Sequence, residues 1–253
     1  MTILEVKQVS LRIGGLSVLT DVSFSLNKGA IHSLIGPNGA GKTSLFNCIT
    51  GFYRPTAGAI RLDGTSLERV TPHRVVRLGL ARTFQNIRLF KEMTVLENVM
   101  AGRHCRSEGS ILSAILRTRA HRREEESIRE ISRRWLDFVG LRAKEQRRAG
   151  DLPYGDRRRV EWARALASEP KLLMLDEPAA GLTHTEKAEL IELLSRIRGQ
   201  GTTILLIEHD MALIMQVSDH VVVMDHGQKI ADGEPAAVRR NPQVIEAYLG
   251  VEE

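Results

Sequence analysis

The run Gly36-Pro37-Asn38-Gly39-Ala40-Gly41-Lys42-Thr43 constrains this chain more than any other feature. It follows an apolar stretch at residues 30–35 that reads as a strand, and it precedes residues 44–50, which read as a helix. A loop of the form G-x-x-x-x-G-K-[ST] in that setting binds the phosphates of a nucleoside triphosphate. Gly39 and Gly41 let the backbone curl tightly and approach a phosphate without a Cβ in the way. The curled main chain turns its N–H groups inward as an anion nest, and the following helix adds its positive end. Lys42 supplies a mobile charge for the β- and γ-phosphates, and Thr43 supplies a hydroxyl for Mg²⁺. Gly36 through Thr43, with Ser44 at the helix start, are the candidate triphosphate-binding residues. The loop alone specifies a ligand and no reaction.

The reaction is indicated further along. Leu172-Leu173-Met174-Leu175-Asp176-Glu177-Pro178 is an apolar strand ending in two adjacent acids. An unpaired buried carboxylate there would be costly, and a bound cation relieves the cost. Asp176 is placed to hold Mg²⁺, and Glu177, one residue nearer the site, is the natural general base for an attacking water.

The 253 residues allow one large α/β domain, or a core with a small subdomain. Residues 3–13 and 18–26 read as antiparallel strands, with a shorter strand at 59–62 before the Asp63-Gly64 turn. From about 86 to 167 the chain turns helical and charged, with helices expected at 95–101, 111–116 and 122–139. The last of these has an apolar stripe of Ile128, Ile131, Trp135 and Phe138. After Pro170 strands (172–175, 203–207, 220–224) alternate with helices (186–198, 211–217), the pattern of a parallel sheet flanked by helices.

No apolar run approaches the roughly 20 residues of a membrane helix. Met1-Thr2-Ile3-Leu4-Glu5 does not begin a secretory leader, and Cys48 and Cys105 have no metal-ligand spacing, so a reduced, cytoplasmic setting is expected. The net charge of +5 admits nucleic acid, an anionic membrane or acidic ligands as partners. The densest basic stretches, 117–123 and 157–159, read equally well as solvated helix faces or as membrane-proximal surface.

These residues resemble the ATP-binding subunits of ABC transporters, over essentially the whole chain. Four more motifs stand in that family's order. Arg82-Thr83-Phe84-Gln85-Asn86 is similar to the Q-loop, in which Gln85 would touch Mg²⁺ or the lytic water and link to the membrane subunits. Leu152-Pro153-Tyr154-Gly155-Asp156 occupies the place of the signature, with a helix expected at 158–167. Ala180-Gly181-Leu182-Thr183 stands at the D-loop. Leu206-Ile207-Glu208-His209-Asp210 carries His209 as the switch histidine. The segments 83–90, 152–166 and 241–250 narrow the resemblance to the branched-chain amino acid importers, a branch that also includes carriers of urea, amides and aromatic acids.

The resemblance implies a P-loop NTPase fold. It has a RecA-like parallel-sheet core with an N-terminal antiparallel β subdomain (residues 1–85 and 168–253) and an inserted α-helical subdomain (86–167). The implied activity is ATP hydrolysis with ATP and Mg²⁺, with Glu177, His209 and Gln85 catalytic and Thr43, Gln85 and Asp176 around the metal. The implied partners are integral membrane permease subunits, a second ATPase chain paired head to tail (identical or related), and indirectly an external solute-binding protein, with no nucleic acid. DNA-acting relatives carry long coiled-coil insertions between phosphate loop and signature, and the spacing here is too short. The implied location is peripheral, on the cytoplasmic side of the inner membrane.

Five positions depart from the family pattern. Pro153 and Tyr154 replace the serine and first glycine of Leu-Ser-Gly-Gly-Gln, and Asp156 replaces its glutamine. Leu152, Tyr154, Gly155 and Asp156 remain the candidate contacts to ATP bound by the opposite chain, with the helix N-terminus and the Gly155 N–H carrying more of the contact. Ile13 stands where an aromatic ring normally stacks on adenine, so weak base selectivity is expected. Thr183 replaces the acid or amide usual in the D-loop.

Overall fold

The computed structural model describes residues 1–107 and 118–249. The helix expected at 111–116 lies outside the described residues. The chain forms two compact units: Met1–Arg82 with Lys171–Glu253, and Thr83–Pro170.

The first unit contains two sheets. Strands β1 (Thr2–Ile13), β2 (Leu16–Asn27), β4 (Ala57–Leu62) and β5 (Thr65–Ser66) form an antiparallel sheet in the order β2-β1-β4-β5. The β1–β2 connection is the two-residue turn Gly14-Gly15, with φ of 55° and 87°, as a type I′ hairpin requires. Alternation along β1 is interrupted at Gln8, whose φ is 49°, and the register shifts between Val6 and Val9. The bulge resets the pleat, so Leu4 and Val6 before it and Val9 and Leu11 after it are all buried.

The second sheet has the order β10-β9-β3-β8-β7-β6, formed by β3 (Ile31–Ile35), β6 (Leu80–Arg82), β7 (Leu172–Asp176), β8 (Thr203–Ile207), β9 (His220–Asp225) and β10 (Gln228–Gly233). All pairings are parallel except the β9–β10 edge. Every residue of β3, β7 and β8 is buried, as expected of central parallel strands covered on both faces. The pleat divides the side chains of β3 and β9 between two cores. Leu34, Val222 and Met224 join the larger core with the antiparallel sheet and with Leu45, Phe46 and Ile49 of α1 (Lys42–Ile49). Ile35, Val221 and Val223 face the opposite way and pack with Ile214 of α7 (Met211–Val217), Val238 of α8 (Pro235–Val238) and Val244 of α9 (Pro242–Leu249). Two helices complete this unit: α2 (Pro72–Arg77) and α6 (His184–Gly199).

The second unit is helical, with α3 (Val95–Arg103), α4 (Arg119–Phe138) and α5 (Tyr154–Ala167). Three expectations are corrected here. The buried line of α4 is Ile128, Ser132 and Leu136, an i, i+4, i+8 row. Of the stripe expected there, Ile131, Trp135 and Phe138 flank that row half-buried, with the two rings edge to face at 5.4 Å. Ser132 is tolerated inside because its hydroxyl donates to the Ile128 carbonyl at 2.7 Å. The helix expected from residue 158 begins at Tyr154, with Pro153 as its N-cap, where a missing N–H costs nothing. Arg158, expected on a solvated or membrane-facing basic face, is 1% exposed. No helix among the described residues is long and apolar enough to cross a membrane.

Candidate functional site

In the first unit the carboxyl ends of three neighbouring strands converge. Leu34 of β3 pairs with Ile207 of β8, and Ile207 pairs with Asp176 of β7. The phosphate loop, the acid pair and the Glu208-His209 segment therefore leave the sheet side by side, where ligands of open α/β sheets bind.

The loop depends on glycine at three points. Gly36 has a φ of 148°, and a Cβ there would lie 2.0 Å from the Met224 carbonyl oxygen. Gly39 has open space around it and is required for its φ of 83° alone. Gly41, at φ 94°, would press a Cβ to 2.8 Å from Leu19 Cδ2 and is the N-cap of α1. No side chain caps that helix, and its first turn has no acid, so the N-terminal N–H groups of α1 face the loop with their dipole unopposed. Lys42 Nζ donates to the carbonyls of Gly36 at 2.6 Å and Pro37 at 2.8 Å. Burial lowers the Lys42 pKa, and the nearby charges of Glu177 and Asp176 oppose that shift. A cavity of about 670 Å³ opens beside Pro37 and Asn38, edged by Asp225, His226, Gln243 and Glu246.

Asp176 is held by a residue the sequence reading left unassigned. Arg82 Nη2 lies 3.0 Å from Asp176 Oδ2, with both side chains almost fully buried. Arg82 Nη1 donates to Asn47 Oδ1 at 2.7 Å and Thr50 Oγ1 at 3.3 Å, which ties the carboxylate to the helix that follows the loop. Glu177 has a φ of 48°, left-handed for a non-glycine residue, and its N–H donates to the Ile207 carbonyl at 3.0 Å. Strain of this kind persists only where the surroundings impose it, and it gathers at functional sites.

Glu208, also unassigned from the sequence, is 1% exposed and accepts from the N–H of Ala179 at 2.7 Å and of His209 at 3.1 Å. It thereby fixes the turn after the acid pair to the main chain of His209. The His209 side chain is 69% exposed, with Nδ1 3.9 Å from Glu208. Ile13 stands at the hairpin tip, 46% exposed, and the hairpin residues that abut Gly41 are Val18 and Leu19. Thr183 caps α6 in a reciprocal box with Glu186.

The second unit holds the remaining candidates. Gln85 is exposed. Leu152 is buried, Tyr154 is 41% exposed at the first position of α5, and Gly155 lies half-buried behind it. Asp156 forms an ion pair with Lys144. Tyr154, Gly155 and Asp156 thus form the first turn of a helix, whose leading N–H groups have the helix dipole behind them.

Comparison with known proteins shows the family. The family model for the ABC transporter matches residues 19–180, from β2 through the acid pair. The chain belongs to the ABC transporter family. A second model, for the branched-chain amino acid ATP-binding cassette transporter, matches residues 228–253. Among curated ABC relatives, the high-affinity branched-chain amino acid transport ATP-binding protein BraF of Pseudomonas aeruginosa is 47% identical over 98% of both chains. LivG of Escherichia coli, of the same description, is 46% identical over the same share. Among solved structures, an ATP-binding cassette in its ADP conformation is 35% identical with a TM-score of 0.86, covering 99% of both chains. A nucleotide-free cassette is 34% identical with the same TM-score, covering 99% of this chain and all of the other. The ABC fold is therefore present at full length.

Proposed function

We propose that this chain is the ATP-hydrolysing subunit of a membrane importer of branched-chain amino acids, one of two cassettes, identical or related, seated on the cytoplasmic side of membrane-spanning permease subunits. The observation that carries the reading is the 47% identity, over 98% of both chains, with a branched-chain amino acid transport ATP-binding protein. The strand ends described above supply the chemistry that the reading needs. An external solute-binding protein would deliver the cargo, and nucleic acid has no part in it.

In this reading the triphosphate lies along the N–H groups of the phosphate loop and α1, and Lys42 exchanges the Gly36 and Pro37 carbonyls for phosphate oxygens. The Thr43 hydroxyl and the Asp176 carboxylate are hard oxygen donors of the kind Mg²⁺ takes. When bound, Mg²⁺ offsets charge on the β- and γ-phosphates. Glu177 accepts the proton of the attacking water, held in place by its N–H bond to Ile207. His209 is the switch: an exposed imidazole on a main chain that Glu208 clamps can swing without loosening the strand. The signature turn of one chain completes the phosphate site of the other, so hydrolysis opens the pair and shifts the membrane partner between two states.

The test is the full transporter in lipid vesicles. Glu177→Gln should keep nucleotide binding and lose phosphate release by about 100-fold or more. Release at the native rate would overturn the catalytic assignment. Leucine, isoleucine or valine, with the binding protein, should raise wild-type turnover, and no response to any of them would overturn the cargo.

A further inference from the structure

The second unit contains a polar cluster that the mechanism above does not use. Tyr154, Arg158 and Glu161 are spaced i, i+4, i+7 along α5 and share one face of it. That face meets the main chain of residues 84–88, the Q-loop of the proposed function. Arg158 is 1% exposed and spends its guanidinium in two directions. Its Nη1 donates to the carbonyls of Phe84 at 3.2 Å and Gln85 at 3.3 Å. Its Nη2 donates to the Tyr154 hydroxyl at 3.0 Å, with the guanidinium carbon 5.6 Å from the centre of the Tyr154 ring.

The neighbouring turn repeats the arrangement. Glu161, also 1% exposed, accepts from the Arg88 N–H at 3.5 Å, and Arg164 donates to the Arg88 carbonyl. Glu161 lies 3.8 Å from Arg158 and 3.9 Å from Arg164, so the charges within the cluster alternate. A buried arginine is costly unless its donors are satisfied. Here main-chain carbonyls of one functional loop and a side chain of another motif occupy its two terminal nitrogens.

We propose that Arg158 is a positioning residue that links the two motifs: it couples the signature turn, through the Tyr154 hydroxyl, to the Q-loop main chain at Phe84 and Gln85. Tyr154 stands where the usual signature has glycine, which has no side chain to reach Arg158. The departure at residue 154 is therefore a gain of linkage. A displacement of the signature turn as it meets the partner's nucleotide pulls on the main chain that carries Gln85, and a displacement of the Q-loop repositions the signature. The planar fork is essential, because its two terminal nitrogens serve the carbonyls and the phenol separately, whereas the three donors of a lysine sit on one nitrogen.

This inference rests on the reading of residues 85 and 152–156 as Q-loop and signature of an ATPase. It is tested by a double-mutant cycle in the assembled transporter. Tyr154→Phe keeps the ring and removes only the hydroxyl. It should lower kcat for ATP by about three- to tenfold with little change in KM, and should lower solute moved per ATP. In an Arg158→Lys background the same change should have almost no further effect, because the linkage is already cut. Equal, multiplicative effects of Tyr154→Phe in both backgrounds would overturn the proposal, as would a Tyr154→Phe protein with native kcat and native coupling. If Arg158→Lys does not fold, judged by its melting transition, Arg158→Gln replaces it, and Tyr154→Phe alone still decides the second outcome. A purely structural role would lower the melting temperature and leave solute moved per ATP unchanged. Failure of the ATPase reading itself is distinguishable, since wild-type protein would then release no phosphate for either variant to alter.

Discussion

The guanidinium of Arg82 reaches Asp176, Asn47 and Thr50 at once and lies 5.4 Å from the centre of the Phe46 ring. It is the counter-charge that lets a carboxylate sit almost fully buried at the end of β7. Removing one partner of a buried pair leaves the other uncompensated. Arg82→Ala should therefore destabilise the protein by about 3 kcal/mol, read as a lowered urea midpoint with an unchanged slope. The same comparison shows why Arg82 escaped the sequence reading while Lys42 and Thr43 did not. Lys42 and Thr43 belong to a contiguous motif whose spacing carries its own geometry. Arg82 acquires its role from a partner 94 positions away, and Arg158 from partners 73 and 74 positions away. Neither pairing leaves a local trace. Glu208 was hidden differently: it adjoins His209, and only its burial and hydrogen bonds show that it clamps two turns together.

At the scale of elements, the long and strongly patterned segments were legible. β3, β7 and β8 are mostly apolar runs, broken only by His32, Ser33, Asp176 and Thr203, and every residue in them is buried. The short or edge elements were not. β5 has two residues and β6 three, and β10 is a polar edge strand with no fully buried residue. Short elements such as these depend on charged tethers. Asp63, in the turn between β4 and β5, pairs with Lys28 just after β2 and with Lys171 just before β7. Hydrogen bonds from Lys171 and then Lys28 hold its carboxyl down at about 2, against an ordinary 3.8. Asp210, the N-cap of α7, is lowered in the same way by Lys187 and by the Leu213 N–H. A depressed carboxylate stabilises the fold above its unfolded pKa and stops doing so as it is protonated. The melting temperature should hold above pH 4 and fall towards pH 2, and Asp63→Asn should flatten part of that slope when the two proteins are scanned side by side.

At the scale of the whole molecule, the chain leaves the first unit after Arg82 and re-enters it at Lys171. The two crossings are stitched together: the Gly79 carbonyl accepts from the N–H of both Lys171 and Leu172, and Leu80 of β6 pairs with Leu172 of β7. The 88 residues of Thr83–Pro170 are thus a detour between adjacent rungs of one sheet. A parallel crossover needs only about a dozen residues to close. A shortened protein joining residue 82 to residue 171 through a flexible linker of that length should fold. It should bind nucleotide through the phosphate loop with near-native affinity and release no phosphate, as calorimetry and a phosphate assay would show. An unfolded product would mean that the sheet needs the detour for its own stability. Evolution could then have grown or exchanged that lobe as a cartridge, altering what the machine grips while the fuel chamber kept its shape.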